Sequence, residues 1–322
     1  MSVRLVTFNV QHGQLPDGRV DPAFLGQAVA GLGADVVAVQ EVDRAQVRSG
    51  GVDLAHVVAE AVGAREHRYL PAVAGTMEPR RATAGSVGTD DPAAALAPLV
   101  DARGRARVGA AVSVLRSPAG RSAIGAYVGT WRSRRRARGD EHDDVPGYGI
   151  ALISRLPVRE WRRLRLPIGS PWLFGRLQLG KDEPRVAIVA VVETPDGPLT
   201  VVATHLSSWR RWSRRQLRWL VRRLSAAPRP LVLLGDLNIR ADEPAAITGW
   251  RELVHVPTYP RERPKLRLDH VLVDDGAETG GDATLVHVTG PAHALDLGIS
   301  DHRAVVVDVS LRPPGPPEPR PA

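Results

Sequence analysis

The chain has 322 residues, 43% of them hydrophobic, no cysteine and a formal net charge of +8. The missing cysteines exclude disulfides, thiolate metal sites and cysteine nucleophiles, and the length leaves room for one large α/β domain or two ordinary ones. No apolar run approaches the ~20 residues of a membrane span, and the first ten residues read as a strand rather than a signal peptide, so a cytoplasmic location is expected.

In chain order, RLVTFNV (4–10) is a short apolar run of strand length, and Asp21 with Pro22 then supplies an N-cap and a first helical residue. DVVAVQEV (35–42) reads as a second buried strand from its β-branched content, and DLAHVVAEAVG as a helix stopped by Gly63. From 75 to about 147 Gly, Ala, Arg and Asp dominate without sustained periodicity, which predicts a long insertion, disordered in part. GYGIALIS, RVAIVAVVET and LTVVATHL follow as strands; the Asp-Gly of PDGP makes the last two an antiparallel hairpin.

SSWRRWSRRQLRWLVRRLSAA is helical, with Trp212, Gln216, Trp219, Leu220 and Leu224 near one stripe. Arg211, Arg214, Arg215, Arg218 and Arg222 cover much of the rest and read as a solvated face. PLVLLGDLN, RLDHVLVDD and HRAVVVDVS are three more strands, and the proline-rich PPGPPEPRPA should stay disordered. The organisation expected is one domain over 1–312, carrying the insertion, and a tail over 313–322.

Polar groups recur at strand ends: Asn9, Glu41, His205, Asp236 with Asn238, Asp269, then Asp301 and His302. Ligands of α/β sheets collect at strand ends, and hard dications take carboxylate and amide oxygens. Glu41 and Asp301 would give one Mg²⁺ two charges and Asn9 a neutral oxygen; Mn²⁺ can substitute, and a sparse set that keeps waters suits phosphoester chemistry. The Asn238 amide can donate to phosphate, while Asp236 can accept a proton or orient water. His302, held by Asp269, is the expected general base, and His205 a second imidazole donating to a nonbridging oxygen.

TFNV, QEV, GYGIALISRLPV, THL, GDLN, LDHVLV and SDHRAV, in that order, resemble the endonuclease/exonuclease/phosphatase superfamily, which includes deoxyribonuclease I, AP endonucleases, neutral sphingomyelinases and inositol polyphosphate 5-phosphatases. The likeness covers all but the 75–147 segment and the tail. It implies an α/β fold, a four-layer α/β/β/α sandwich of two packed mixed β-sheets flanked by helices, and Mg²⁺-dependent phosphoester hydrolysis by in-line attack of water. By the same likeness Asn9, Glu41 and Asp301 fall at the metal, His205 in the phosphate-binding histidine motif, Asp236 and Asn238 in GDxN, and Asp269 with His302 in the Asp/His pair. AP endonucleases carry an acid where this chain has Gln11 and lack the histidine seen here as His205, which argues against that branch.

The expected function is a nuclease-like phosphodiesterase, because the basic balance favours nucleic acid. A sphingomyelinase-like phospholipase or inositol-phosphate phosphatase is the alternative, with Trp172, Leu173 and Phe174 of SPWLFG as candidate membrane-facing residues. A catalytically inactive binding module is the third reading. No obligate protein partner is evident.

Overall fold

A computed structural model of the chain describes residues 1–77, 145–168, 182–276 and 284–312, with the backbone of 135–136. Most of the expected insertion, the SPWLFG segment and the tail from 313 lie outside the described residues.

Numbered along the chain, β1 (Val3–Asn9), β2 (Val36–Arg44), β3 (Glu66–Ala74), β4 (Arg135–Arg136), β5 (Gly147–Ser154), β12 (Leu285–Val288), β13 (His293–Leu295) and β14 (Ala304–Arg312) form one sheet. Its order is β12-β14-β1-β2-β5-β3-β4, with β13 also on β14. The second sheet holds β6 (Val158–Arg165), β7 (Val186–Thr194), β8 (Gly197–His205), β9 (Leu231–Asp236), β10 (Arg251–Glu252) and β11 (Asp269–Asp274), in the order β10-β11-β9-β8-β7-β6. Both sheets are mixed: β1–β2 and β8–β9 run parallel, and the other pairs antiparallel. The expected hairpin is present, with Thr194 paired to Gly197 across Pro195 and Asp196.

Three apolar clusters make the layers. Leu5, Ala38, Leu152, Ile188, Val201, Leu234 and Val271 pack between the sheets. Val6, Phe8, Val37 and Val39 pack on the other side of the first sheet against α1 (Pro22–Ala30) and α2 (Leu54–Ala61), whose N-caps Asp21 and Asp53 accept backbone N–H bonds as their sequences require. On the outer side of the second sheet Val202, Leu231 and Leu233 pack against α3 (Arg210–Leu224), and the short α4 (Glu243–Thr248) lies beside that helix. The result is the expected α/β/β/α sandwich.

Strand alternation then fixes where polar side chains go, because residues two apart share a face. Asn9 follows Val3 and Leu5, His205 follows Val201 and Ala203, Asp236 follows Val232 and Leu234, and Asp269 precedes Val271 and Val273. Each therefore sits at the end of a row of inter-sheet residues, at the mouth of the space between the sheets.

Candidate active site

Register brings three of these groups into line. His205 on β8 is paired with Asp236 on β9, and Asp236 with Asp269 on β11, so one row crosses three adjacent strands. The close approach of β8 and β9 depends on Gly235, where a Cβ would stand 2.0 Å from the Thr204 carbonyl oxygen.

Glu41 reaches the same space by a different device. Alternation alone would turn it toward the helices, as Val39 and Val42 are turned. Instead the ladder with β5 slips between Gln40 and Val42, and Glu41 takes a left-handed φ of 59° as the extra residue of a β-bulge. β3 slips opposite the same part of β5, between Pro71 and Val73, and both irregularities face Gly149, where a Cβ would lie 2.1 Å from the Leu70 carbonyl oxygen.

Asn9 ties the two sheets together. Its Nδ2 donates to Glu41 Oε1 at 3.1 Å and to Asp236 Oδ2 at 3.0 Å, while its Oδ1 accepts from the Gln11 backbone N–H at 3.1 Å. The oxygen expected to face a metal is thus engaged by backbone, and the amide nitrogen faces the carboxylates. Asn238, at a left-handed φ of 51°, donates its backbone N–H to Asp236 Oδ1 at 3.0 Å.

The loop before β14 closes the site. Ser300, at φ 71°, donates its hydroxyl to the Asn9 carbonyl at 2.6 Å, and its oxygen accepts from the His302 backbone N–H at 3.2 Å. Between these anchors Asp301 lies near Glu41, since its charge pushes the Glu41 carboxyl up in the same direction as burial, the larger cause. His302 is buried, its Nδ1 2.8 Å from Asp269 Oδ2, which also accepts from the Thr258 hydroxyl at 2.5 Å. Its Nε2 lies 3.8 Å from Asp236 Oδ2, and the Tyr259 ring packs on it with centroids 4.9 Å apart.

Burial opposes charge on His302, but Asp269, Asp236 and Asp301 together outweigh it and raise its pKa to about 10. Burial raises Asp236 to about 6, with His302 and the Asn9 hydrogen bond acting against the rise. His205 goes the other way: burial first, then Arg185 and His302, hold it well below the ordinary imidazole range.

Arg185, buried just before β7, is the group the sequence reading missed. Its Nη1 lies 2.9 Å from His205 Nδ1. A guanidinium has only donors, so Nδ1 must accept and the ring proton of His205 sits on Nε2. That Nε2 lies 3.5 Å from Asp236 Oδ2 and 3.3 Å from Asn238 Nδ2, which donates to the Leu206 carbonyl at 3.1 Å.

All eight side chains singled out from the sequence therefore gather at one end of the inter-sheet space, through direct contacts or short electrostatic paths. The profile of the Endonuclease/Exonuclease/phosphatase family matches residues 6–302. The chain belongs to the endonuclease/exonuclease/phosphatase family. Membership makes it a hydrolytic enzyme acting on phosphoesters and sets aside the binding-module reading. No curated protein sequence matches it.

Solved structures share the fold at low identity. An endonuclease/exonuclease/phosphatase from Beutenbergia cavernae DSM 12333 matches at 19% identity and a TM-score of 0.57, over 96% of this chain and 72% of that one. D. rerio TDP2 in complex with a single strand DNA product matches at 14% and 0.52, over 96% and 99%. Sphingomyelinase C from Streptomyces griseocarneus matches at 14% and 0.50, again over 96% and 99%.

The residues present fit the divalent metal on which the family generally depends. Carboxylate oxygens of Asp236 and Asp269 and a ring nitrogen of His302 lie within 4.8 Å of one another, and Asp269 Oδ1 is buried without a hydrogen-bond partner among the described residues. Glu41 and Asp301 add two further acids nearby. Within that cluster His302 Nδ1 is engaged by Asp269, and Nε2 lies 3.8 Å from Asp236 Oδ2.

Proposed function

We propose that this enzyme is a divalent-metal-dependent phosphodiesterase of nuclease type. The observation that carries the reading is the row His205–Asp236–Asp269, with His302 held on Asp269 and Asn9 joining Asp236 to Glu41.

In this reading Glu41 and Asp301 hold Mg²⁺, or Mn²⁺ in its place, and Asn9 orients Glu41 and Asp236 rather than ligating. The cation, when bound, neutralises charge on the phosphate and on the departing oxygen. Asp236, at about 6, is matched to taking a proton from the attacking water near neutrality. His302, raised to about 10 in the metal-free protein, is an imidazolium there, and we assign it as a donor to the phosphate where the sequence suggested a base. The His205 Nε2–H and the Asn238 amide face the nonbridging oxygens. Water attacks phosphorus in line with the leaving oxygen, whose bond breaks as the new P–O bond forms.

The relatives include one holding a DNA product and one named for sphingomyelin, so the fold serves both. A net charge of +8 supports nucleic acid. A panel of DNA, RNA, sphingomyelin and inositol phosphates under one Mg²⁺ condition tests this: turnover of nucleic acid above the others is expected, and exclusive turnover of a lipid or inositol phosphate would reject the nuclease assignment.

A further inference from the structure

The helix α3 carries a feature that the site does not use. It has no acidic residue, and Arg210, Arg211, Arg215, Arg218, Arg222 and Arg223 are exposed on it. Arg211, Arg215, Arg218 and Arg222 follow at steps of four, three and four, so at 3.6 residues per turn they share an arc of roughly 60° and form a stripe roughly 16 Å long.

Glu243 of α4 pairs with Arg210 and Arg214, at the edge of the stripe. The four stripe residues have no ion pair among the described residues. Trp212 and Trp219, half-buried and seven residues apart, flank the stripe on one side; Arg215 lies 5.3 Å from the Trp212 ring centre and Arg223 5.6 Å from that of Trp219.

The stripe begins where the site is. The connection β8–α3–β9 joins two parallel strands, so α3 runs against them and its first turn lies at the end of the sheet that carries His205 and Asp236. Ser207 fixes that turn, donating its N–H to Gln216 Oε1 at 2.9 Å and accepting from the Trp209 N–H at 3.0 Å. The apolar side of the helix is sealed against the sheet, with Leu217, Leu220 and Leu224 at 0% exposure, so α3 has no face to insert into a bilayer. Cations in a line beside aromatic rings are the elements of single-strand recognition.

We propose that the arginine stripe of α3 tracks the phosphates of a single-stranded nucleic acid leaving the catalytic cleft, with Trp212 and Trp219 as stacking flanks for its bases. The inference rests on the nuclease reading only for what the strand does at the site.

Binding of the full chain to a fluorescent oligothymidylate in chelator, over a salt series, tests the track without cleavage. Relative to wild type, R211Q/R215Q/R218Q/R222Q should weaken binding about tenfold or more at low salt and flatten the log K against log salt slope by about 2–3, at about 0.7 per lost phosphate contact. Hydrolysis of bis-p-nitrophenyl phosphate should be unchanged, which reports an intact fold, and the corresponding four lysine substitutions should restore the slope. An unchanged slope in the glutamine variant overturns the proposal, as does tighter binding of duplex DNA or of phosphatidylserine vesicles. A wild-type chain that binds the strand through this stripe but hydrolyses no nucleic acid would reject the function proposed above and leave the track standing.

Discussion

Asp236 Oδ2 is the atom on which the site converges, with Asn9 at 3.0 Å, His205 at 3.5 Å and His302 at 3.8 Å. Its neighbour His302 gives the clearest pH signature. A folded pKa of about 10 lies above the ordinary ~6.5, so this group's contribution to stability is full below about 6.5 and is lost as pH rises through about 10. NMR titration of the metal-free protein should place His302 near the upper value, and Asp269→Asn should lower it and narrow the window; an unshifted titration in that variant would remove Asp269 as the partner. Added Mg²⁺ should also lower it, because a nearby dication opposes the imidazolium. Arg185→Met should cost one to two orders of magnitude in kcat, the usual range for a group that holds a site side chain. The ¹⁵N shifts of His205 should show loss of the single Nε2–H tautomer, and a wild-type tautomer in the variant would count against the role. The carboxylates and histidines were legible in the sequence because each ends a strand. Arg185 was not, since one basic residue before an apolar run looks like any strand boundary, and its meaning comes only from the pairing with His205.

At the scale of elements, two glycines permit the geometry. Gly235→Ala and Gly149→Ala each drive a Cβ into a backbone carbonyl that a ladder holds in place, and a loss of about 3 kcal/mol is expected from denaturant unfolding at either site. A loss under about 1 kcal/mol would show that the strands can separate locally. Strands with continuous apolar runs were readable from the sequence, as were the capped helices. β3 and β6 were not: β3 contains Pro71 and begins with charged residues, and β6 (VREWRRLR) is an edge strand whose arginines hide its alternation. β10, β12 and β13 are two to four residues long and owe their conformation to the neighbouring strand. The bulge at Glu41 was equally hidden, because nothing in VQEV marks which residue is the extra one.

For the molecule as a whole, the two sheets contribute unlike halves: the second brings His205, Asp236 and Asp269 in a fixed row, and the first brings Asn9, Glu41 and the loop holding Asp301 and His302. On the function proposed above each half supplies groups that the other lacks, which ties catalysis to the inter-sheet core that holds them together. Among the described residues no helix is long and apolar enough to cross a membrane. On the function proposed above these halves form one metal-dependent centre with Asp236 as the proton acceptor. Hydrolysis of bis-p-nitrophenyl phosphate by the wild-type chain and by Asp236→Asn, each with Mg²⁺ and with chelator, tests it most directly. Turnover by the wild type with Mg²⁺ alone, and a fall of about 10²-fold or more in the variant, is the expected result; turnover that survives chelation, or a variant as fast as wild type, would contradict the account.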